Sequence, residues 1–583
     1  MVAALVLASY LALAAPYVAA NAPQVIDSQQ QVTYTGVKRN GIEIFLNIPY
    51  GEDTSGANRY KPPRPHVPPP GTEIRATEYG PACPQKLGTF LEPISLTNVT
   101  NVSEDCLNLN VARPKGACAG DKLPVMVYIH GGSFWGGSNE EVTIAPDGMI
   151  LESVENGLPV MHVAMNYRLG AFGFAQSDAL RSEGSENAGL RDQRLAIEWV
   201  RDNIEHFGGD PEKITIFGQS SGGLAVGLHI LAYGGEKPVP FQQGICESQA
   251  LEPGIAGTFT RDAMKALVDA VGCNNEDLQS PATIACLRQL DTQTLLNASI
   301  ATYQSDIAHN IGDIWLPAID GDFLPTAPSQ LVREHRFAKD ITIMMGWCED
   351  DLTFFTDASI KTAEDTRNFI SMYAGGVTKA NIDTLLDLYP VSDFAAGPGS
   401  DPDKTLSAEF YRAARIFRDI LMVCEPLWYG EHLADAGSKV YFYDWNQTML
   451  EPILESLTGV SGYGPIHTSE FAYIFGNLSH YDANGYPFHP TEADYKLRDR
   501  GSRSWSTFAS TGKPGLCGKD TFQGFKPAFR GGDNEPGLFV AGGPHERFSP
   551  VDGPGSHEQV RRQRLRERCA FINSPEMIEQ LGV

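Results

Sequence analysis

Beyond its first twenty residues, the 583-residue chain has no apolar run long enough to cross a bilayer. Basic residues are scarce: 45 Lys and Arg stand against 71 Asp and Glu, a formal net charge of −26. That balance speaks against nucleic acid and anionic membrane surfaces as partners and describes an acidic, soluble surface. The 13 histidines form no clustered ligand motif, so neither a metal nor a cofactor is expected. No segment repeats and no long linker interrupts the chain. The one proline-rich stretch, RYKPPRPHVPPPGTE from Arg59 to Glu73, is short and reads as a surface connection. What the chain does have is 42% hydrophobic residues, ample for a large core.

Residues 1–20, MVAALVLASYLALAAPYVAA, are apolar with small residues at the end. They read as a secretory signal cut near Ala20, although no Lys or Arg precedes the apolar stretch. The remainder, 21–583, is expected to be a single domain. Ten cysteines suit an oxidising compartment. Asn98, Asn101, Asn297, Asn446 and Asn477 begin Asn-x-Ser/Thr sequons, so a secreted, extracellular glycoprotein is expected.

Three apolar segments, KLPVMVYIHGG, LPVMHVAMNYRLG and EKITIFGQSSGG, read as strands. Between the last two, NAGLRDQRLAIEWVRDNIEHFGG places Leu190, Leu195, Ile197, Val200 and Ile204 at helical spacing and ends at a Gly pair. Strand, helix, strand at this spacing is a βαβ unit and implies an α/β fold with a mostly parallel sheet. DITIMMGW and SKVYFYDW add further strands, and the long segments between are expected to be insertions that wall a site. Gly218-Gln219-Ser220-Ser221-Gly222 fits G-x-S-x-G after a strand and before a helix. Small residues on both sides allow a sharp turn that exposes a serine hydroxyl above the sheet, where the helix N-terminus favours negative charge.

FGGDPEKITIFGQSSGG, together with EDCLNLNV at Glu104–Val111, NYRLGAFGF and NAGLRDQRLAIEWVRDNI, resembles the type-B carboxylesterase/lipase family, which includes cholinesterases and secreted fungal lipases and esterases. The resemblance runs from about Val32 to Phe571. It implies an α/β-hydrolase fold and a serine carboxylic ester hydrolase that uses a small-molecule ester, with nothing implied about oligomeric state. In this fold the chain order is Ser, acid, His. His467, in GYGPIHTSEFAYIFG, is similar to the family's histidine loop and is the expected base. GWCEDDLTFF places the acid on Asp351, where aspartate replaces the commoner glutamate; Glu349 and Asp350 are its rivals. The shorter side chain requires the acid loop to lie closer to His467. HGGSFWGG after a strand offers an oxyanion hole from the backbone N–H groups of Gly132, Ser133 and Ser221, with Ser133 replacing the usual third glycine. His130 is read as structural, packed under that loop.

The resemblance also implies the disulfides Cys83–Cys106, Cys273–Cys286 and Cys424–Cys569, leaving Cys118, Cys246, Cys348 and Cys517, with Cys348 read as a free buried thiol. Between Cys83 and Cys106 there is no tryptophan, and Gln219 is neutral, so no preference for choline esters is expected. The same loop carries Leu87, Phe90, Leu91, Ile94 and Leu96 and two sequons. Short- to medium-chain neutral esters are the expected substrates, with a triacylglycerol lipase or sterol esterase as the alternative. A catalytically dead adhesion-type homologue is a further class, but it would lose the serine or the histidine, and both are here.

Overall fold

We describe the protein from a computed structural model. It covers residues 22–583 apart from 275–276, 278, 307–312, 398–404, 483–484 and 530–535. The expected signal, residues 1–20, lies outside the described residues.

Eleven strands make the main sheet. In chain order they are β1 (Val37–Arg39), β2 (Ile42–Pro49), β3 (Asn108–Pro114), β4 (Leu123–Ile129), β5 (Met161–Met165), β6 (Gly209–Gln219), β7 (Gln243–Glu247), β8 (Thr342–Cys348), β9 (Lys439–Trp445), β10 (Gly537–Ala541) and β11 (Arg547–Pro550). Across the sheet the order is β11-β10-β9-β8-β7-β6-β4-β5-β3-β2-β1. Neighbours from β10 through to β5 are parallel. Antiparallel strands finish both edges. The five segments read as strands are β4, β5, β6, β8 and β9.

The central strands are apolar at successive positions because both faces are covered. In β6, Ile214 and Ile216 enter one core and Phe217 the other. In β4, Val125, Val127 and Ile129 divide from Met126 and Tyr128 in the same way. The expected helix is present as α1 (Ala188–Asn203), which buries Leu190, Ile197 and Val200, while Leu195 stays partly exposed. A 3₁₀ turn, Ile204–Phe207, follows, and Gly208 at φ +98° ends it in a conformation that a side chain disfavours. α1 is pinned to the segment after β5 by a fully buried ion pair: Arg168 Nη2 donates to Asp192 Oδ1 at 2.6 Å, and Arg168 Nε donates to Oδ2 at 2.7 Å.

The structure pairs Cys83 with Cys106, Cys273 with Cys286 and Cys424 with Cys569. Cys246 and Cys348 are free and buried, whereas Cys118 and Cys517 are free and exposed. Among the described residues no helix is long and apolar enough to cross a membrane. Asn98, Asn101 and Asn297 are exposed, while Asn446 and Asn477 are half-buried.

Candidate active site

β6 ends at Gln219, and α2 (Ser221–Leu231) begins two residues later. The chain turns on Ser220, at φ +59° and ψ −132°, a backbone state few non-glycine residues occupy. The turn is held by Ser220 N–H, which donates to the Glu247 carbonyl at 2.9 Å. It is so tight that a Cβ on Gly218 would lie 2.6 Å from the Gly222 backbone, and one on Gly222 would lie 2.1 Å from the Ile129 carbonyl oxygen. Those contacts explain why small residues bracket the serine.

Asp351 and His467 arrive on loops after β8 and β9. Asp351 is fully buried, and its Oδ1 meets His467 Nδ1 at 2.5 Å. Its Oδ2 accepts from Cys348 N–H at 2.8 Å. The two loops are also tied directly: His467 N–H donates to the Asp351 carbonyl at 3.0 Å, and Asp350 N–H donates to the Pro465 carbonyl at 3.2 Å. This close pairing of backbones is how an aspartate, one methylene short, reaches the ring. The rival carboxylates point elsewhere. Glu349 pairs with Arg415 and Arg562 and accepts from Gln563. Asp350 faces Arg415 at 3.5 Å and is pushed up to about 6 by desolvation and then by Glu349.

His467 Nε2, the nitrogen expected to face the serine, is met by Gln219 Nε2 at 2.9 Å. Among the described residues no hydrogen bond joins the ring to Ser220 Oγ. Such contacts are often loose before substrate binds.

The loop expected to form the oxyanion hole follows β4. Gly132 lies at φ +107°, and Ser133 and Phe134 lie at φ +52° and +57°. Ser133 therefore takes up, as a non-glycine residue, the left-handed conformation for which glycine is the usual choice. Trp135 and Gly136 N–H groups both donate to the Gly132 carbonyl at 3.0 Å, which closes the turn. No described acceptor meets the Gly132 or Ser133 N–H. Ser221 opens α2, where helical N–H groups have no intrahelical partner. His130 is buried beneath the loop. It stacks on Tyr167 at 4.4 Å, and burial lowers it to about 4, so it sits there as a neutral packing group.

Buried acids that the sequence did not point to surround these parts. Glu470, three residues after His467, accepts from the Cys348 thiol at 3.0 Å; burial, and then Asp351, push it up to about 7. Glu247 accepts from Trp505 Nε1 at 2.7 Å and is held well above the usual carboxylate range by burial and by Glu470. On the oxyanion side, Asp313 hydrogen-bonds to Ser133 and to Glu252, and burial raises both acids. The conspicuous signal for any of them was Glu470 itself, visible in the histidine loop but with no role attached.

Above Ser220 opens a cavity of about 430 Å³. Its walls include Phe90, Leu91 and Ile94 from the Cys83–Cys106 loop, Trp135, Tyr303, and Phe354 and Phe355 from the acid loop. Phe90 packs on Trp135 at 4.6 Å, and Trp135 on Tyr303 at 3.6 Å. Leu87 is 54% exposed, whereas Leu96 is buried in the core. Among the described residues no group of three or more His, Cys, Asp or Glu side chains is placed to hold a metal ion.

A parallel sheet with a serine on its sharpest strand-to-helix turn defines an α/β-hydrolase. The model of the Carboxylesterase family matches residues 20–539. The chain belongs to that family and is a carboxylic ester hydrolase. It is 55% identical over 564 residues to a secreted lipase of Arthroderma benhamiae, covering 97% of each chain. It is 36% identical over 512 residues to the inactive carboxylesterase-like protein VdtD of Byssochlamys spectabilis, covering 85% of each. The fold is similar to that of Aspergillus niger EstA, with a TM-score of 0.72 and 23% identity over 96% of this chain and 99% of that one.

Proposed function

We propose that the protein is a secreted serine hydrolase that cleaves neutral esters through an acyl-enzyme on Ser220, with residues 21–583 as one domain. The observation that carries this reading is the strained, half-buried Ser220, which lines an apolar cavity beside a buried His467–Asp351 pair. Ser220 Oγ attacks the ester carbonyl carbon while its proton passes to His467 Nε2. Asp351 keeps the Nδ1 proton in place and stabilises the imidazolium. The oxyanion accepts from the N–H groups of Gly132, Ser133 and Ser221. Collapse breaks the ester C–O bond, and the alcohol leaves with the proton from His467. Water then adds to the acyl carbon, again giving its proton to Nε2, and the acid leaves as Ser220 regains its proton. The intact Ser, His and acid distinguish this reading from that of an inactive homologue.

The wall of Phe90, Leu91, Ile94, Trp135 and Phe355 suits an unbranched apolar chain, and among the described residues no carboxylate lines the cavity to meet a cation. Short- to medium-chain neutral esters are the first reading. Exposed asparagines at Asn98 and Asn101 would place glycans on the loop that borders the cavity and hold it in water. The second reading, a glyceride lipase, is favoured by the name of the Arthroderma relative and by exposed Leu87. Activity on short- and long-chain glycerides, measured across their solubility limits, separates the two. The esterase reading expects saturation below the limit; a steep rise on emulsion formation, with long chains preferred, overturns it.

A further inference from the structure

We infer that Gln219 is a positioning residue for the base: its side-chain amide holds the Nε2 lone pair of His467 in the resting enzyme and yields it to Ser220 on substrate binding. This inference rests on the ester-hydrolase reading of the site.

The geometry leaves little choice of chemistry. Asp351 Oδ1 sits 2.5 Å from Nδ1, so the ring proton of the neutral imidazole belongs on Nδ1. Nε2 is then a lone pair and calls for a donor. Gln219, 3% exposed at the end of β6, supplies its amide N–H at 2.9 Å. A carboxylate in the same place can only accept, so it would favour a proton on Nε2. Other described groups also act on the ring: Asp351 bonds to it, Glu470 and Asp313 interact with it electrostatically, and the Phe355 ring packs edge-on at 5.7 Å. Among the described residues, Gln219 is the donor that meets Nε2. A hydrogen bond to the neutral form of a base opposes its protonation. The amide thus competes with a proton for the Nε2 lone pair. It also occupies the site the Ser220 proton must reach, so the first step of turnover exchanges one donor for another at the same lone pair: Gln219 N–H leaves and Ser220 O–H enters.

The test is the pH dependence of kcat/KM for a soluble neutral ester, measured for the wild type, Gln219→Glu and Gln219→Met. The midpoint of the acid limb is read, which does not depend on plateau height or on the fraction of folded enzyme. Gln219→Glu is expected to move the midpoint up by about one pH unit, equivalent to about tenfold in kcat/KM on the acid side. Gln219→Met, which removes the donor without adding charge, is expected to move it in the same direction by less. If the carboxylate variant does not fold, the methionine variant decides. Limbs that superimpose on the wild type, or that move to lower pH, overturn the inference. Labelling of wild-type Ser220 by a fluorophosphonate, mapped by peptide mass, keeps the two readings apart. Absence of label at Ser220 rejects the serine mechanism itself, whereas label with an unmoved limb rejects only the role of Gln219.

Discussion

At the scale of single residues, three adjacent carboxylates compete for one role, and the geometry distributes them differently. Asp351 turns to His467, Glu349 to arginines and Gln563, and Asp350 to Arg415. Ser220→Ala and His467→Ala are each expected to lower kcat by about 10⁴-fold or more, and Asp351→Asn to be severe as well. Asp350→Asn should retain most of the activity. Steady-state kinetics on one soluble ester checks all four; a crippled Asp350→Asn beside a near-normal Asp351→Asn would reassign the acid. Asp351, which meets His467, was singled out by ungapped resemblance in GWCEDDLTFF, but the partners of Glu349 and Asp350 were not legible. They are Arg415, Arg562 and Gln563, which stand far along the chain and leave no periodic trace. The contact of Gln219 with His467 was hidden for the same reason, although its neutrality was plain.

At the scale of elements, α1 and the segment after β5 are locked together by a buried ion pair. Arg168 and Asp192 have no water to fall back on: Asp192 is fully buried and Arg168 is 2% exposed. Breaking a buried pair by removing one partner leaves a stranded charge and costs about 3–5 kcal/mol. Asp192→Ala is therefore expected to lower the denaturation midpoint by that equivalent, measured by urea unfolding, while a surface change such as Asp202→Ala stays within about 0.5 kcal/mol. The strands and α1 were readable from apolar spacing because the sheet is covered on both faces and the helix on one. The ion pair was not, since a charged residue on a helix more often faces solvent. The Cys83–Cys106 loop shows a similar division. Its apolar residues were visible, but only the fold separates Leu96 in the core from Phe90, Leu91 and Ile94 on the cavity wall.

At the scale of the whole molecule, buried ionisable groups set how stability varies with pH. His130 is lowered to about 4, and His162 and His229 to about 3, all chiefly by burial. In the unfolded chain histidine takes a proton near about 6.5, so these three withdraw stability as pH falls below that value. Glu470 is raised to about 7, and Glu247, Glu252, Glu425 and Asp444 are raised well above the ordinary range, again chiefly by burial. Unfolded carboxyls ionise near about 4, so these groups stabilise fully below that pH and lose their contribution as pH rises through their folded values. Between about 4 and 6.5 the two sets oppose each other. Above about 6.5 only the carboxyls still titrate, and stability should fall. Thermal unfolding across pH 4 to 9 is expected to show a decline from the acid end that steepens above about 6.5, with Glu470→Gln reducing the decline. A midpoint that rises steadily to pH 9 contradicts this account. None of it was readable from the acidic composition, which counts charges without saying which are buried.

The tight turn at Ser220 also bears on how this protein can change. Gly218 and Gly222 press on the main chain of neighbouring elements, and backbone atoms cannot be exchanged by mutation to make room. No single substitution elsewhere relieves a side chain placed there, so the two positions are closed to drift whatever the substrate. The cavity walls are drawn from insertions and loops, where Phe90, Tyr303 and Phe354 meet other side chains that can be replaced in turn. Variation in the lineage, and any directed-evolution library, will therefore accumulate in the walls while the turn stays monomorphic. New specificities should arise without the chemical step being redesigned.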